Sequence, residues 1–585
     1  MEVEYGQGQT NPAATQMDPS VVKDLFRVFK LNGLSARPDA IRALIRLLLR
    51  EPDWDRALSA VLGGIKDKLE RGDLKSSVVD VETVSSVVAD LSKDDKELDE
   101  ESLQYLDAFA MPRVTYDPQR KTLFVEDVVV GKRRMHALAA ARPQMFRDRF
   151  LLAQQRVQRN KLFCRPVIAS SRREHLQLTA LDALVGARGT KVVLGMLTQP
   201  QEGRYCLEDL TSQVPLDFSQ AGQTAGMFTE HSVVVVEGEM VDGVLRVHMM
   251  GLPPPEAREE TLSVLGHTDL FGRGVTPQQQ TRLAELGRRA ADAMFVILSD
   301  VHLDRPDVLD KLRALFRGFA GLSPPPVFVL MGNFTSTPVS HAPESVGQLA
   351  GHFAALAAVI AETPRLAESA RFVFVPGPND PGAGNTLPRP PLPTLFTAAL
   401  RELVKHTTFA TNPCRLRFYA QEMVLFREDL LFKMQRHSVL SPSGPDDTPE
   451  ASMDATEHLV RSFGEKEGDV QLPSFYFVNL HPPSQAREVV QSGSAGAVGA
   501  VIVKTLFDQG HLCPLPLAGR PICWQLDHTL ALYPLPHVAV LADSADQYQW
   551  RYHGASAFNP GSFQADFSFI VYRPATCEVD FSSIE

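Results

Sequence analysis

Three short apolar runs, each ending in a polar loop, constrain what this chain can fold into more than any other feature. They are Ala293-Met-Phe-Val-Ile-Leu-Ser-Asp-Val-His302, Pro326-Val-Phe-Val-Leu-Met-Gly-Asn-Phe-Thr-Ser336 and Arg371-Phe-Val-Phe-Val-Pro-Gly-Pro-Asn-Asp380. Their β-branched and aromatic content predicts strands buried on both faces of a parallel sheet. The intervening segments predict helices. One opens at Asp304-Arg-Pro306 and carries Leu309, Leu312, Leu315, Phe316 and Phe319 at helical spacing; the other spans about 344–361. A β-α-β-α-β order brings the three strand ends to one edge, where open α/β sheets carry their sites. That edge would gather Asp300, His302, Asn333, Asn379 and Asp380, which resembles a metal site lacking some of its ligands.

The rest of the 585 residues leaves room for several cores. Residues 1–16 are polar and expected to be disordered, and 17–91 read as a helical bundle. Val22, Leu25, Phe26 and Phe29 lie on one helical face, and later helices start at Pro38, near Trp54 and at Val78. Residues 92–165 read as a linker with a helical segment. It includes the basic cluster Gly131-Lys-Arg-Arg134 and an arginine- and glutamine-rich helix from Pro143 to Asn160, expected to be a solvated face. Within 166–252, five short strands (Lys191–Leu197, Gly203–Glu208, Gln213–Asp217, Ser232–Glu237 and Gly243–His248) predict an OB-fold barrel, with Asp242-Gly243 as a hairpin turn. Only Tyr205 offers an aromatic platform on those strands, beside Glu208 and Asp209, so a structural or docking barrel is expected in preference to a single-strand binder. Residues 253–290 read as a second linker. The α/β part, 291–585, carries a flexible insertion at about 440–496 and closes on a last strand at Phe567–Tyr572.

Charge and cysteine usage narrow the function. With 59 Lys and Arg against 70 Asp and Glu, the net charge is −11, so DNA contact is expected to be weak without a partner. The six cysteines form no Cys-x-x-Cys pair, which fits a reducing compartment, nuclear or cytosolic. No apolar run suggests a membrane span, and the acidic start Met1-Glu-Val-Glu-Tyr5 is unlike a signal or transit peptide.

The loops of the α/β part resemble those of calcineurin-like phosphoesterases, which end successive strands in Asp-x-His, Gly-Asp-x-x-Asp and Gly-Asn-His-Asp/Glu. Later histidine loops complete that family's two-metal site. Asp300 and His302 match the first loop. In the second, Asn333 stands for the bridging acid and Ser336 for the final one. In the third, Pro378 replaces the ligating Asn and Asn379 the catalytic His, while Asp380 is kept. His511 is the candidate for a later histidine loop. An amide cannot bridge two cations as a carboxylate does, and proline offers no side-chain ligand, so neither catalytic residues, cofactor nor metal is expected.

A barrel followed by a defective phosphoesterase domain resembles the B-subunit family of replicative DNA polymerases. Asp292–Asp300, Phe372–Gly382, Leu387–Leu392, Thr411–Arg415, Phe426–Leu430 and Gln509–Leu512 point to its epsilon branch. The resemblance implies a multidomain α+β chain: helical bundle, OB-fold barrel and an inactive phosphoesterase-like α/β sandwich. It also implies a nuclear, non-catalytic accessory subunit. Its partners would be the cysteine-rich carboxy-terminal domain of the polymerase's catalytic chain, the replicative helicase assembly through the helical domain, and DNA within the complex. The rival expectation is an active metal-dependent phosphodiesterase or 3′–5′ exonuclease using Asp300, His302, Asp380 and His511.

Overall fold

A computed structural model describes residues 19–48, 54–70, 78–89, 102–126, 137–164, 176–266, 269–271, 275–339, 342–382, 385–440 and 494–584. The polar start, the Gly131–Arg134 cluster and nearly all of the insertion expected at 440–496 lie outside the described residues. The chain divides into two compact units between Ser102 and Leu103.

The first unit holds the helices Pro19–Leu31, Pro38–Leu48, Trp54–Glu70 and 81–89 around Leu25, Phe29, Ile41, Leu44, Leu62, Ile65, Val84 and Val87. The fourth helix starts later than the sequence suggests. Asp80 accepts from the Thr83 backbone N–H at 2.8 Å, which caps a helix opening at 81. Val78 and Val79 instead pair in parallel with Ser35 and Ala36.

In the second unit, the strands Lys191–Gln201, Arg204–Glu208, Gln213–Asp217, Val233–Val241 and Val244–Gly251 form a closed path, because Val244–Gly251 pairs both with Val233–Val241 and with Gln213–Asp217. Val193, Leu197, Val234, Val236, Leu245 and Val247 fill the interior. The alternate residues Val192, Leu194, Met196, Val233 and Val235 lie under Phe150, Ala153 and Val157 of the helix Ala141–Arg159. Both faces of two strands are therefore covered, which explains their unbroken apolar runs, 192–197 and 233–236. The arginine- and glutamine-rich helix is thus not the solvated face expected of it. Arg156 and Gln155 are buried, and Arg149 pairs with Asp527.

Two six-stranded sheets make up most of the rest of the described residues. In the first, β1 (Phe295–Leu298), β2 (Val327–Met331) and β3 (Arg371–Val375) run parallel with His406–Phe409, and Ser568–Arg573 joins antiparallel beside β1. The helices α1 (Pro306–Phe319) and α2 (Pro343–Ala361) connect the three strands as the spacing predicts. By length and composition α2 could cross a membrane. Here it lays Leu349, Phe353, Leu356 and Ile360 against Val296, Leu298, Phe328 and Phe374 of the sheet. The opposite face of β1 meets the second sheet, where Phe295 stands edge-on to Phe418 at 5.4 Å between ring centroids.

The second sheet is built on β4 (Gln421–Arg427) and β5 (Val538–Ala542), paired in parallel. Its edge is supplied from far away, since Leu103–Leu106 pairs antiparallel with Cys414–Phe418. Three expectations change here. Residues 92–165 contribute this edge strand and a hairpin, Arg113–Asp117 with Thr122–Glu126, as well as a helix. The stretch 253–290 contains the helices Arg258–Leu265 and Pro277–Arg289, the second started by a Thr276/Gln279 capping box. The strand at Phe567–Tyr572 is not the last, because Glu578–Ser583 folds back antiparallel on it.

Candidate functional site

The strand ends converge as the sequence order requires. β1 delivers Asp300 at its C-terminal end, in the left-handed region (φ +53°) and 4% exposed. One carboxylate oxygen accepts the Asn333 backbone N–H at 3.1 Å and the Asn333 side-chain amide at 3.3 Å. The other accepts the Ser562 hydroxyl at 3.0 Å. β3 leads to Asp380, buried, whose two oxygens accept the backbone N–H groups of Phe334 at 2.8 Å and Gly377 at 2.7 Å. Burial pushes the Asp380 carboxyl up to about 6, against the pull of those two amides. The approach of β2 to β3 requires glycine. A Cβ on Gly332 would lie 1.9 Å from the Asp380 carboxylate, and one on Gly377 would lie 2.6 Å from the Asn333 side-chain oxygen.

The second sheet supplies what the sequence reading missed. β4 ends in Arg427, whose side chain is 1% exposed and enters the strand-end cluster. Its guanidinium donates to Asp300 at 2.6 Å, to the Gly332 carbonyl at 2.8 Å and to Asp429 at 2.8 Å. Desolvation opposes the charged guanidinium, yet Asp300 and Asp429 outweigh it and raise the Arg427 pKa. Burial would likewise raise Asp429, and Arg427 brings it below the ordinary carboxylate value instead. β5 ends at Asp543, which accepts the backbone N–H groups of Leu430 at 2.6 Å and Leu431 at 3.0 Å. Only the charged triplet Arg427-Glu-Asp429 directly after an apolar strand could have signalled this.

The other candidate residues separate by position. His302 is half-buried, burial lowers its pKa, and its buried Nδ1 has no hydrogen-bond partner among the described residues. Ser336 turns outward to Asp304, which accepts its backbone N–H at 3.0 Å. Pro378 is half-buried, and the exposed Asn379 donates its backbone N–H to the Asn333 side chain at 2.9 Å. His511 is bound up elsewhere. Its ring lies 3.3 Å from Asp527 and accepts the Cys513 backbone N–H at 3.0 Å, beside the Arg149–Asp527 pair. Asp300, Asn333 and Asp380 therefore share one cluster of hydrogen bonds, and His511 belongs to another.

The cluster is a closed electrostatic unit. Every carboxylate in it is held by a cation, by backbone N–H groups or by both. Among the described residues, no group of three or more His, Cys, Asp or Glu is arranged to hold a metal ion.

Known proteins resemble this chain along almost its whole length. Residues 295–549 match the family of B subunits of DNA polymerases alpha and epsilon. Residues 139–254 match the OB-fold domain of DNA polymerase epsilon subunit 2-like proteins. The chain is 35% identical over 574 residues to the DNA polymerase epsilon B subunit of Arabidopsis thaliana, spanning 96% of this chain and 98% of that one. It is 34% identical over 567 residues to the DNA polymerase epsilon subunit 2 of Mus musculus, covering 95% and 97%. For the Homo sapiens protein of the same description the figures are 34% over 570 residues, again 95% and 97%.

Proposed function

The chain belongs to the family of DNA polymerase epsilon B subunits, and from that membership we propose that it is a non-catalytic accessory subunit of the epsilon polymerase in nuclear DNA replication. Nearly full-length similarity to epsilon B subunits is the observation that carries this reading. The second unit holds the cysteine-rich carboxy-terminal domain of the catalytic chain, and the helical unit links the polymerase to the replicative helicase assembly. DNA is met within that complex; the free chain, at net charge −11, binds it weakly or not at all. Tyr205 supports this, since it is half-buried and stands edge-on to Phe218 of its own chain at 5.8 Å.

The two-sheet part is an inactive relative of the calcineurin-like phosphoesterases. The donor set does not fit a metal pair. Two divalent ions roughly 3.5–4 Å apart need a bridging carboxylate and further acids or imidazoles around them. Here the bridging position is the amide of Asn333, and Asp300 is occupied by Arg427, Asn333 and Ser562. Asp380 is committed to two backbone amides, and His511 is engaged with Asp527. No hydrolytic step follows from this arrangement.

A stable subunit contact should bury more than ~2,000 Å² and be rich in apolar area. Co-expression with the catalytic chain should therefore give one species on gel filtration in moderate salt; two separable chains would refute the assignment. In parallel, the purified chain should leave a labelled oligonucleotide intact in manganese. Cleavage abolished by Asp300→Ala would establish the enzymatic reading instead.

A further inference from the structure

The Arg427 side chain reaches four strand ends in both sheets. Its Nε donates to the Gly332 carbonyl at the end of β2, and Nη2 donates to Asp300 beyond β1. Nη1 donates to Asp429 beyond β4 at 2.8 Å and lies 3.5 Å from the Ala542 carbonyl at the end of β5. A buried cation bonded to two carboxylates and two carbonyls from separate loops has the ligand chemistry of a hard metal ion, with N–H donors in place of coordination bonds. Two carboxylates facing each other across such a site without a cation would repel in a medium that screens them poorly.

We infer that the Arg427 guanidinium is a built-in replacement for a divalent cation. Its single positive charge is shared between Asp300 and Asp429, and it ties the two sheets together at their strand ends. It also closes a latent oxygen-ligand site for hard divalent ions that its removal would open. The exchange is matched on both sides. Asn333 stands where a carboxylate would need a second cation, and Asp380 and Asp543 are stabilised by backbone N–H groups, leaving Asp300 and Asp429 as the pair that needs a cation between them. That cation is covalently attached and needs no ion from solution. The inference rests on the non-catalytic reading of the strand ends. Oligonucleotide cleavage by the unaltered chain would count against that reading, whereas the test below bears on Arg427 alone.

The test is thermal melting of the full chain, unaltered and as Arg427→Ala, in chelator, in millimolar magnesium, manganese or calcium, and in millimolar methylguanidinium. The unaltered chain should melt at the same temperature throughout. Arg427→Ala should melt several degrees lower in chelator and recover a substantial part of the loss with a divalent ion or methylguanidinium, as ligand linkage requires. Adding Asp300→Asn to the variant should raise its melting temperature in chelator and abolish the response. A variant indifferent to every cation would overturn the inference, as would one that melts like the unaltered chain. Should Arg427→Ala fail to accumulate folded, the Asp300→Asn/Arg427→Met double variant decides: recovery of folded protein supports charge replacement, and continued failure overturns it.

Discussion

At the residue scale, Asp527 shows how a buried charge ties this chain together. Burial alone would raise its carboxyl, but Arg149, with His511, holds it well below the usual carboxylate range. A depressed carboxylate stabilises the folded chain above its unfolded pKa of about 4, and that contribution disappears as pH falls through and below it. Asp527→Asn should therefore lower stability at neutral pH by about 3–5 kcal/mol, because Arg149 is left buried without its counter-charge. It should also lessen the loss of stability on acidification. Urea unfolding at pH 7 and near pH 2 checks both: a variant as stable as the unaltered chain at pH 7 would show the pair to contribute little. The same scale explains which site residues were legible. Asp300, Asn333 and Asp380 end strands of a recognisable pattern, so local sequence places them together. Arg427 lies 127 positions from Asp300, and only the meeting of two sheets brings them into contact. His511 stands near a helix end as a late histidine loop might, but its partners come from 513 and 527.

Among the elements, the barrel hairpin Val233–Val241 with Val244–Gly251 makes a sharp test of backbone geometry. Its register shifts between Glu237 and Gly238, and a Cβ on Gly238 would fall 2.3 Å from the Arg246 carbonyl oxygen. Backbone meets backbone there, so no side chain can swing aside, and a bulge glycine is required. Gly238→Ala should cost about 2 kcal/mol or more and weaken the barrel selectively. Hydrogen exchange should speed up across 191–251 more than across 295–375; uniform or unchanged protection would contradict the bulge argument. Legibility among elements follows the same division between local and distant causes. The barrel strands and β1–β3 carry valine, isoleucine and phenylalanine runs that state their own conformation. Leu103–Leu106 is four residues long and pairs with residues 415–418, so its role is invisible without the fold. Ala555–Asn559 is fully buried, but apart from Phe558 its residues are small or polar and carry little strand propensity of their own. The helix Pro277–Arg289 was readable in principle from Thr276-Pro-Gln-Gln279, a capping pattern hidden by the polar composition that follows it.

For the whole molecule, the division between Ser102 and Leu103 is consequential because strand Leu103–Leu106 begins immediately beyond it. That strand completes the edge of the second sheet, Arg417 donates to Gln104 at 3.0 Å, and the Ala108 backbone N–H donates to the Thr411 hydroxyl at 3.0 Å. The first unit meanwhile has a core of its own around Phe29, Ile41 and Leu44. Two truncations a few residues apart should therefore behave differently. A chain starting at Ser102 loses the helical unit but keeps the edge strand. It should stay soluble, melt near the unaltered second unit and still bind the catalytic chain, while losing the proposed link to the helicase assembly. A chain starting at Met111 uncovers Cys414–Phe418, whose backbone groups become an open sheet edge. It should melt lower, aggregate and bind the catalytic chain poorly. Melting curves and co-purification of both forms check the pair of outcomes. Equal melting would mean that Leu103–Leu106 adds nothing to the sheet, and loss of catalytic-chain binding by the form starting at Ser102, although folded, would move that contact onto the helical unit.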